Sequence, residues 1–395
     1  MIVVGGTYFE SCSFPAWGGL FGSGVRAALA VSTLSKGTRL RTYAYRESSG
    51  DLRATMAAFD VSSEIVEIAE RLEFEYWHPL YKNSAPKLGR PQYEDLVVEG
   101  DVVLGFGMLE GKARITSRRA IYDPRTADWK DSFRASGSSA GELAYVIQDN
   151  DLVGLGQLED PRDAASYVMK REGAKVVVSR HPFGGATVYQ GDARGVTVPS
   201  YVSPRWFRIG TGDVFCAAFA HYWGERGLDA LKAADLASRS VAYFNDGARL
   251  PLPEPSELDD AVAIPSPEGV DCCVYLSGPR RTMSQRYLFD EAEAFLDRLG
   301  VRTETAFETD DGRAGPRADW PPTPRPPHTA LLALGDVGEP ATNFHVGFAK
   351  AHGFPVVLLV ESASELDLAM FRGGRCEVVH DLASALYRAR LACLV

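Results

Sequence analysis

The stretch "RIGTGDVFCAAFAHYW", residues 208–223, joins a glycine-rich turn to a long apolar run. Gly210, Thr211 and Gly212 form the turn, and Asp213 follows directly. An apolar run of this kind is typical of a buried helix, which would place the amides of the turn at the helix N-terminus. Unpaired N–H groups and the helix dipole both favour negative charge there. The pattern therefore predicts an anion hole at Gly210, Thr211 and Gly212.

Asp213 needs a separate explanation, because a carboxylate would repel an anion that rests in the same turn. A carboxylate at this place is suited to accept the proton of a hydroxyl group that attacks a phosphoryl group. We therefore predict Asp213 as a catalytic base, with capping of the helix as the alternative. The nearby Arg208 is predicted to contact a phosphate, with an exposed loop charge as the alternative.

The composition limits the class of protein. The chain has 395 residues, of which 45% are hydrophobic and 24% are charged, as in an ordinary soluble protein of two domains. The net charge of −10 argues against a nucleic-acid partner. No apolar run approaches the ~20 residues that span a membrane. The six cysteines and seven histidines lack the spacings of metal sites. We expect a cytoplasmic protein without a membrane partner.

Apolar β-like runs alternate with helical patterns along most of the chain, which predicts an α/β fold with mainly parallel sheets. The proline-rich, acidic segment 256–269 is predicted to link two domains, residues 1–255 and residues 270–395. The proline-rich segment 309–328 is predicted to be a long surface loop. The predicted helices are 23–35, 61–73, 140–149, 160–172, 213–226, 229–244, 284–299, 342–352 and 381–391.

The first 255 residues resemble the ribokinase-like (PfkB-type) sugar and nucleoside kinases. "GTGDVFCAAFA" is similar to that family's G-A-G-D-x-F signature, and "VVGGTYFE" is similar to its first strand. "GGLFGSGVRAALAVSTLS", "SSAGELAYV" and "VVVSRHPFGGATVY" follow in the family's order. The resemblance implies a three-layer α/β domain that transfers phosphate from ATP, with Mg²⁺, to a hydroxyl group of a sugar or nucleoside.

The same resemblance gives roles to single residues in the first domain. It implies that Glu10 contacts the acceptor, and that Ser23 or Arg26 replaces the family's usual asparagine beside it. It also implies that Glu142, in the N-x-x-E segment, orders the Mg²⁺ shell indirectly. The alternative for Glu142 is an acidic residue in the first turn of a helix.

Besides the replaced asparagine near Ser23 or Arg26, the sequence departs from the kinase pattern at two places. Ser139 stands where the N-x-x-E segment has asparagine, and Phe207 and Arg208 stand where the family has an Asp-Thr pair before the glycines. These departures affect the acceptor, the metal shell and the nucleotide contacts.

Residues 270–395 resemble the nucleoside 2-deoxyribosyltransferase-like family. "VYLSGP" is similar to that family's Y-L-A-G-P opening, and "GEPATNFHVGFAKAHGFPVVLLV" is similar to its long helical motif. The resemblance implies a smaller doubly wound, flavodoxin-like parallel sheet with a nucleoside or nucleotide pocket at its carboxyl edge. His345 stands in the place of the family's nucleophilic glutamate. The predicted pocket residues are Tyr275, Gly278, Asp336, Glu339, Asn343 and His345.

Three functions are consistent with these patterns. The first is ATP-dependent phosphotransfer to a small-molecule sugar or nucleoside, with ATP and Mg²⁺ as cofactors and a C-terminal domain that binds nucleosides. The second is a nucleotide-sensing or assembly protein, for example in phage defence, which keeps both folds without catalysis. The third is N-glycoside hydrolysis or deoxyribosyl transfer by the C-terminal domain, through Glu339 or Asp336. A homodimer and a hetero-oligomeric partner are both left open.

Overall fold

The computed structural model describes residues 1–395 apart from 82–85, 87–92, 182, 184, 192–193, 267–268, 306, 309–314, 317–324, 336–338 and 395. The chain divides into two compact units. Unit 1 comprises Met1–Trp77 and Tyr81–Ile264, and unit 2 comprises His78–Leu80 and Pro265–Val395. The main boundary follows Ile264 and lies inside segment 256–269. The predicted loop 309–328 lies largely outside the described residues.

Unit 1 alternates strands and helices along the chain. Its strands are β1 (Ile2–Val4), β2 (Tyr8–Cys12), β3 (Trp17–Phe21), β4 (Arg39–Tyr45), β5 (Ser62–Ile68), β6 (Glu73–Tyr76), β7 (Leu96–Phe106), β8 (Ala113–Asp123), β9 (Ser139–Gln148), β10 (Val176–Arg180), β11 (Ala186–Gln190) and β12 (Val196–Val198). Its helices are α1 (Gly22–Val31), α2 (Ser49–Ala58), α3 (Asp149–Gly156), α4 (Pro161–Glu172), α5 (Thr211–Phe219), which a π-helical turn extends over Ala220–Glu225, and α6 (Ala230–Asn245).

A nine-stranded sheet with the order β12-β11-β10-β9-β8-β7-β1-β4-β5 forms the centre of unit 1. Neighbouring strands are parallel from β10 to β5. The pairs β10–β11 and β11–β12 are antiparallel. A separate sheet has the order β3-β2-β6. Because parallel strands end at one edge, the residues that follow β8, β9 and β10 meet at the carboxyl edge of the large sheet.

Two buried cores cover the two faces of the large sheet, because alternate side chains of a strand point to opposite faces. Val3 of β1 belongs to a core that includes apolar residues of α1, α5 and α6. Ile2 and Val4 belong to the opposite core, with apolar residues of α3 and α4. Helices therefore cover both faces, and unit 1 has three layers.

Unit 2 contains a five-stranded sheet with the order β14-β13-β17-β18-β19, in which all neighbours are parallel. Counted along the chain, its strands follow the order 2-1-3-4-5, which also occurs in flavodoxin-like sheets. The strands are β13 (Cys273–Ser277), β14 (Arg302–Thr305), β17 (Thr329–Leu334), β18 (Val356–Leu359) and β19 (Glu377–Val379), with a short pair β15 (Phe307–Glu308) and β16 (Gly315–Pro316). The helices are α7 (Met283–Arg298), α8 (Pro340–Ala351), α9 (Glu365–Gly373) and α10 (Leu382–Leu394).

The structure confirms the predicted α/β class with a large, mainly parallel sheet. Two predicted helices are wrong: residues 61–73 contain strand β5, and residues 140–149 contain strand β9. Residues 140–149 contain a short apolar run, whose pattern does not separate a strand from a buried helix, and in residues 61–73 apolar and charged residues alternate without a clear period. Pairing decided the outcome, since β5 pairs with β4, and β9 pairs with β8 and β10.

None of the described helices combines the length and the apolar character that crossing a membrane requires.

Candidate functional site

The predicted catalytic base lies in the first turn of α5. Gly210 immediately precedes the helix with φ of 80°. The amide of Val214 donates to the Gly210 carbonyl at 3.1 Å, and Thr211 Oγ1 donates to the Arg208 carbonyl at 3.1 Å. Asp213 is only 3% exposed. The predicted order of turn, acid and helix is therefore present, and the carboxylate of Asp213 is buried.

Arg26 connects Asp213 to Glu10, the residue predicted to contact the acceptor. Arg26 lies on α1 and is 2% exposed. Its Nη1 donates to Asp213 Oδ2 at 2.7 Å and to Glu10 Oε1 at 3.3 Å, and its Nη2 is paired with Glu10 Oε2. Glu10 Oε1 also accepts from the amide of Gly22, the first residue of α1, at 2.9 Å. The predicted residue Ser23 is buried beside it in the first turn of α1. The guanidinium of Arg26 thus lies between the two carboxylates.

A second arginine holds the other oxygen of Asp213. Arg125 follows β8, and its φ of 62° is uncommon for a residue with a side chain. Its Nη2 is paired with Asp213 Oδ1, and its Nε lies 3.7 Å from Asp123 Oδ2. Its guanidinium also lies 5.1 Å from the centre of the Phe106 ring. Backbone strain of this kind concentrates at functional sites. Both oxygens of Asp213 therefore contact guanidinium groups.

Arg180, the last residue of β10, completes the cluster. Its Nη2 donates to Asp123 Oδ2 at 3.2 Å. The Cys216 thiol donates to the same oxygen over 3.7 Å, and burial raises the pKa of this thiol, so it stays protonated. The contacts join six side chains of alternating charge, which we call the ion chain: Glu10, Arg26, Asp213, Arg125, Asp123 and Arg180. Three formal positive charges balance three negative charges.

Two members of the ion chain lie directly against the glycine turn. A Cβ atom at Gly210 would lie 2.1 Å from Arg26 Nε, and one at Gly212 would lie 2.4 Å from Arg180 Nη1. A side chain at Gly210 would also be strained by its φ of 80°, and one at Gly212 would require the end of Arg180 to move. The glycines therefore let two guanidinium groups approach the turn, in addition to shaping its backbone.

A cavity of about 60 Å³ lies next to the turn. Its lining includes Arg180, Arg208 and Thr211, and the described lining residues include no carboxylate. Asn245 also lines it, is 1% exposed, and has no hydrogen-bond partner for Oδ1 within the described part of the chain. Pockets for drug-sized ligands measure roughly 300–1,000 Å³. The cavity as it stands takes one small polar group rather than a whole nucleotide.

The contacts given below for Glu142 involve no member of the ion chain. Glu142 is on β9, where Arg119 Nε donates to it at 2.6 Å and Lys175 Nζ donates at 2.5 Å. Gln148, at the end of the strand, is six positions further along the chain, a distance of about 20 Å. Because the predicted helix 140–149 is a strand, Glu142 is not a first-turn helix acid. Its role toward Mg²⁺ stays a prediction without supporting contacts.

Asp151 is an acidic residue that sequence reasoning missed. It lies in α3, the helix that directly follows β9. Burial and the charge of Asp123 raise the pKa of Asp151, while Arg180 and Arg125 lower it. These interactions associate Asp151 with the ion chain. The incorrect helix over 140–149 hid the strand end that would have identified it.

A buried carboxyl group with a raised pKa is also found in unit 1. Glu110 is fully buried, and Tyr8 Oη donates to its Oε2 at 2.9 Å. Burial raises the pKa of Glu110 to about 7. Burial and the charge of Glu110 raise the pKa of Tyr8, whereas the charge of Arg125 lowers it. Glu110 can therefore change protonation near neutral pH.

The carboxylates of the ion chain do not fit a directly bound Mg²⁺. Magnesium requires an octahedral shell of oxygens at about 2.0–2.1 Å. Asp213 and Asp123 each contact two guanidinium groups, and Glu10 contacts one. Within the described residues, no three His, Cys, Asp or Glu side chains are grouped so that they could hold a metal ion. We therefore assign no step to a metal held by these carboxylates.

The predicted pocket of unit 2 contains one close polar contact. Ser277 ends β13, and its Oγ lies 2.9 Å from Nδ1 of His345 on α8. Burial lowers the pKa of His345, so its imidazole is neutral at pH 7. Glu339 directly precedes α8 and is paired with Arg281.

The other predicted residues of unit 2 are placed differently. Tyr275 is buried in the core, with its ring centre 5.8 Å from that of Phe354. Gly278 follows β13, and Asn343 lies on α8. Asp336 falls outside the described residues. A nucleoside pocket formed by these residues stays a prediction.

Neither a protein-family profile nor a curated protein matches the chain. Solved structures to which it is similar include phosphofructokinase-2 from Escherichia coli, at 15% identity and a TM-score of 0.49, over 65% of this chain and 97% of that chain. Aminoimidazole riboside kinase from Salmonella enterica matches at 12% identity and a TM-score of 0.49, over 66% and 99%. A pyrophosphate-dependent kinase in the ribokinase family matches at 16% identity and a TM-score of 0.47, over 65% and 99%.

Proposed function

We propose that unit 1 transfers a phosphoryl group from ATP to a hydroxyl group of a small sugar or nucleoside. The observation that carries this proposal is the position of Asp213, a buried carboxylate behind a glycine turn and among three arginines. The hydroxyl oxygen forms a bond to the terminal phosphorus, and the bond from that phosphorus to ADP breaks. Asp213 receives the hydroxyl proton. The N–H groups of the turn and the arginines stabilise the phosphate charge.

The reaction requires a change at Asp213 first. A carboxylate whose two oxygens both contact guanidinium groups is poorly placed to accept a proton. We propose that hydroxyl groups of the acceptor replace N–H donors of Arg26 at Glu10 and Asp213. Release of Asp213 would then depend on the acceptor, which would limit transfer of phosphate to water.

Acceptor-dependent release of ADP tests this function. The protein is incubated with ATP, Mg²⁺ and a panel of sugars and nucleosides that includes myo-inositol and aminoimidazole riboside, and ADP and phosphorylated products are measured by mass spectrometry. We expect one acceptor class to stimulate ADP release. Asp213→Asn should abolish the stimulation, and Asp101→Asn, which removes an exposed carboxylate paired with Arg118, should keep it. Failure of every acceptor, or full activity of Asp213→Asn, would refute the transfer.

Ligand binding without transfer is the second candidate function. The engagement of both Asp213 oxygens favours it, because the ion chain is complete without a substrate. In that case ATP would raise the melting temperature, no acceptor would release ADP, and Asp213→Asn would still bind ATP. Hydrolysis or transfer of a nucleoside by unit 2 would instead release free base from a nucleoside, and Glu339→Ala would lower that release if Glu339 takes part.

A further inference from the structure

The cations beside the glycine turn differ in how fully their N–H groups are used. Arg26 is 2% exposed and is enclosed by Glu10 and Asp213. Arg125 and Arg180 keep 36% and 16% of their side-chain surface exposed. A guanidinium carries five N–H groups. Nη2 of Arg180 contacts Asp123 and its Nε is buried, so among the described residues Nη1 is the donor of Arg180 that remains for a ligand. Arg125 and Arg180 therefore have donors left for a ligand.

The surroundings of these donors favour an anion. Arg180 lies against Gly212, where the N-terminus of α5 presents its amides. Arg180 and Arg208 both line the cavity next to the turn, and the lining as described holds no acidic residue. Asn245, almost fully buried in the same lining, has an amide oxygen without a partner there. An occupant with several oxygens, at least one of them protonated or carried by water, would satisfy all of these groups.

The same surroundings oppose a divalent cation. A metal ion bound by Asp123 or Asp213 would have to displace guanidinium groups that already contact these carboxylates, such as Arg26 at 2.7 Å from Asp213 and Arg180 at 3.2 Å from Asp123. Binding would break a buried ion pair and place two positive groups side by side. An oxyanion meets no such obstacle, because it adds negative charge beside the partly exposed guanidinium groups of a neutral ion chain.

We infer that Arg125 and Arg180, rather than a metal ion, supply the positive charge that holds the phosphate groups of the donor. The inference rests on the proposed function for the identity of the donor, a phosphoanhydride, but concerns only how the donor is bound. A nucleoside triphosphate and inorganic diphosphate share this chemistry.

Calorimetric titration tests the inference without relying on turnover. ATP and inorganic diphosphate are each titrated into the full-length protein, once with Mg²⁺ and once with EDTA. We expect at least one of them to bind with a Kd in EDTA within about threefold of that with Mg²⁺. Arg125→Gln and Arg180→Gln should each weaken this binding at least about tenfold, the loss typical of one charge-assisted hydrogen bond. Arg118→Gln, which removes an exposed arginine paired with Asp101, should change it little.

The outcomes separate the inference from the proposed function. Binding that disappears in EDTA, or that is equally weak in Arg118→Gln and Arg125→Gln, would overturn the inference even if phosphate is transferred. Binding that is independent of metal and dependent on Arg125, without any transfer, would overturn only the proposed function. Should Arg125→Gln fail to fold, Arg180→Lys decides the matter. The lysine in Arg180→Lys keeps the positive charge but lacks the planar set of N–H donors of a guanidinium group. We therefore expect an affinity for ATP or diphosphate between those of the wild type and Arg180→Gln, and an unchanged affinity would count against the inference.

Discussion

Removal of Arg26 is the sharpest test of the ion chain. Its guanidinium is buried between Glu10 and Asp213 and lies 5.1 Å from the ring centre of Phe21. Arg26→Met keeps most of the apolar stem and leaves two carboxylates without this partner. Breaking a buried ion pair from one side costs about 3–5 kcal/mol. For a unit of this size, that corresponds to a loss of about 6–20 °C in melting temperature.

The matched control is Arg118→Met. Arg118 makes two hydrogen bonds to Asp101, at 2.6 and 3.0 Å, but both partners are exposed. Exposed pairs contribute about 0–1 kcal/mol, so the control should lose little stability. Urea unfolding followed by tryptophan fluorescence measures both variants. Five of the six tryptophans precede residue 264, so the signal reports mainly on unit 1.

A double-mutant cycle makes the prediction stricter. In the wild type, Glu10→Gln removes one partner of Arg26 and should destabilise the protein. In Arg26→Met, the same change removes an unpaired buried carboxylate and should stabilise it. The sign of the Glu10→Gln effect should therefore reverse between the two backgrounds. The same sign in both, or an Arg26→Met loss no larger than that of Arg118→Met, would refute this account of the ion chain.

Three further predictions concern groups with shifted pKa values. Burial raises the pKa of Glu110 to about 7 from 4.5, so its contribution to stability is full below pH 4.5 and is lost as the pH rises through 7. Glu110→Gln should therefore be more stable than the wild type at pH 8 by about 3 kcal/mol, with little difference at pH 4.5. The exposed control Glu99→Gln should show no such gain. A gain in stability that is independent of pH would contradict this prediction. Burial and the charge of Asp123 raise the pKa of Asp151, so the ionised carboxylate destabilises the fold at pH 7. Asp151→Asn should therefore raise the midpoint of urea unfolding at pH 7 but not at pH 3. A lower midpoint at pH 7 would show that the charged form is needed for stability. Burial lowers the pKa of His345, so the contribution of the neutral imidazole to stability is present above pH 6.5 and is lost as the pH falls below that value. Between pH 7 and pH 5, the His345→Gln variant should therefore lose less stability than the wild type. The exposed variant His352→Gln is the control.

The local features of unit 1 were predictable from the sequence because they depend on neighbouring residues. The run after Asp213 is apolar on every side and has to be buried, and a helix satisfies its backbone. Gly210 and Gly212 before that run form a turn wherever the helix is placed. These inferences needed only periodicity and turn chemistry.

Pairing between distant segments decided where other residues lie. Residues 140–149 form a strand only because β8 and β10 flank them. That outcome placed Glu142 within a strand and Asp151 in the helix that follows it. Asp123 and Arg125 follow a strand end in the sequence "YDPR", and this was the signal that could have identified them as members of a site at the carboxyl edge.

The sequence by itself determined the α/β class, the glycine turn and the position of Asp213 at a helix start, because short-range sterics and hydrophobic periodicity control all three. The tertiary structure alone decided that Asp213 is held by Arg26 and Arg125, which precede it in the sequence by 187 and 88 positions. Charges so far apart in sequence meet only after the large sheet has brought its strand ends together. Burial then fixes their pairing, because leaving one of these charges unpaired costs about 3–5 kcal/mol.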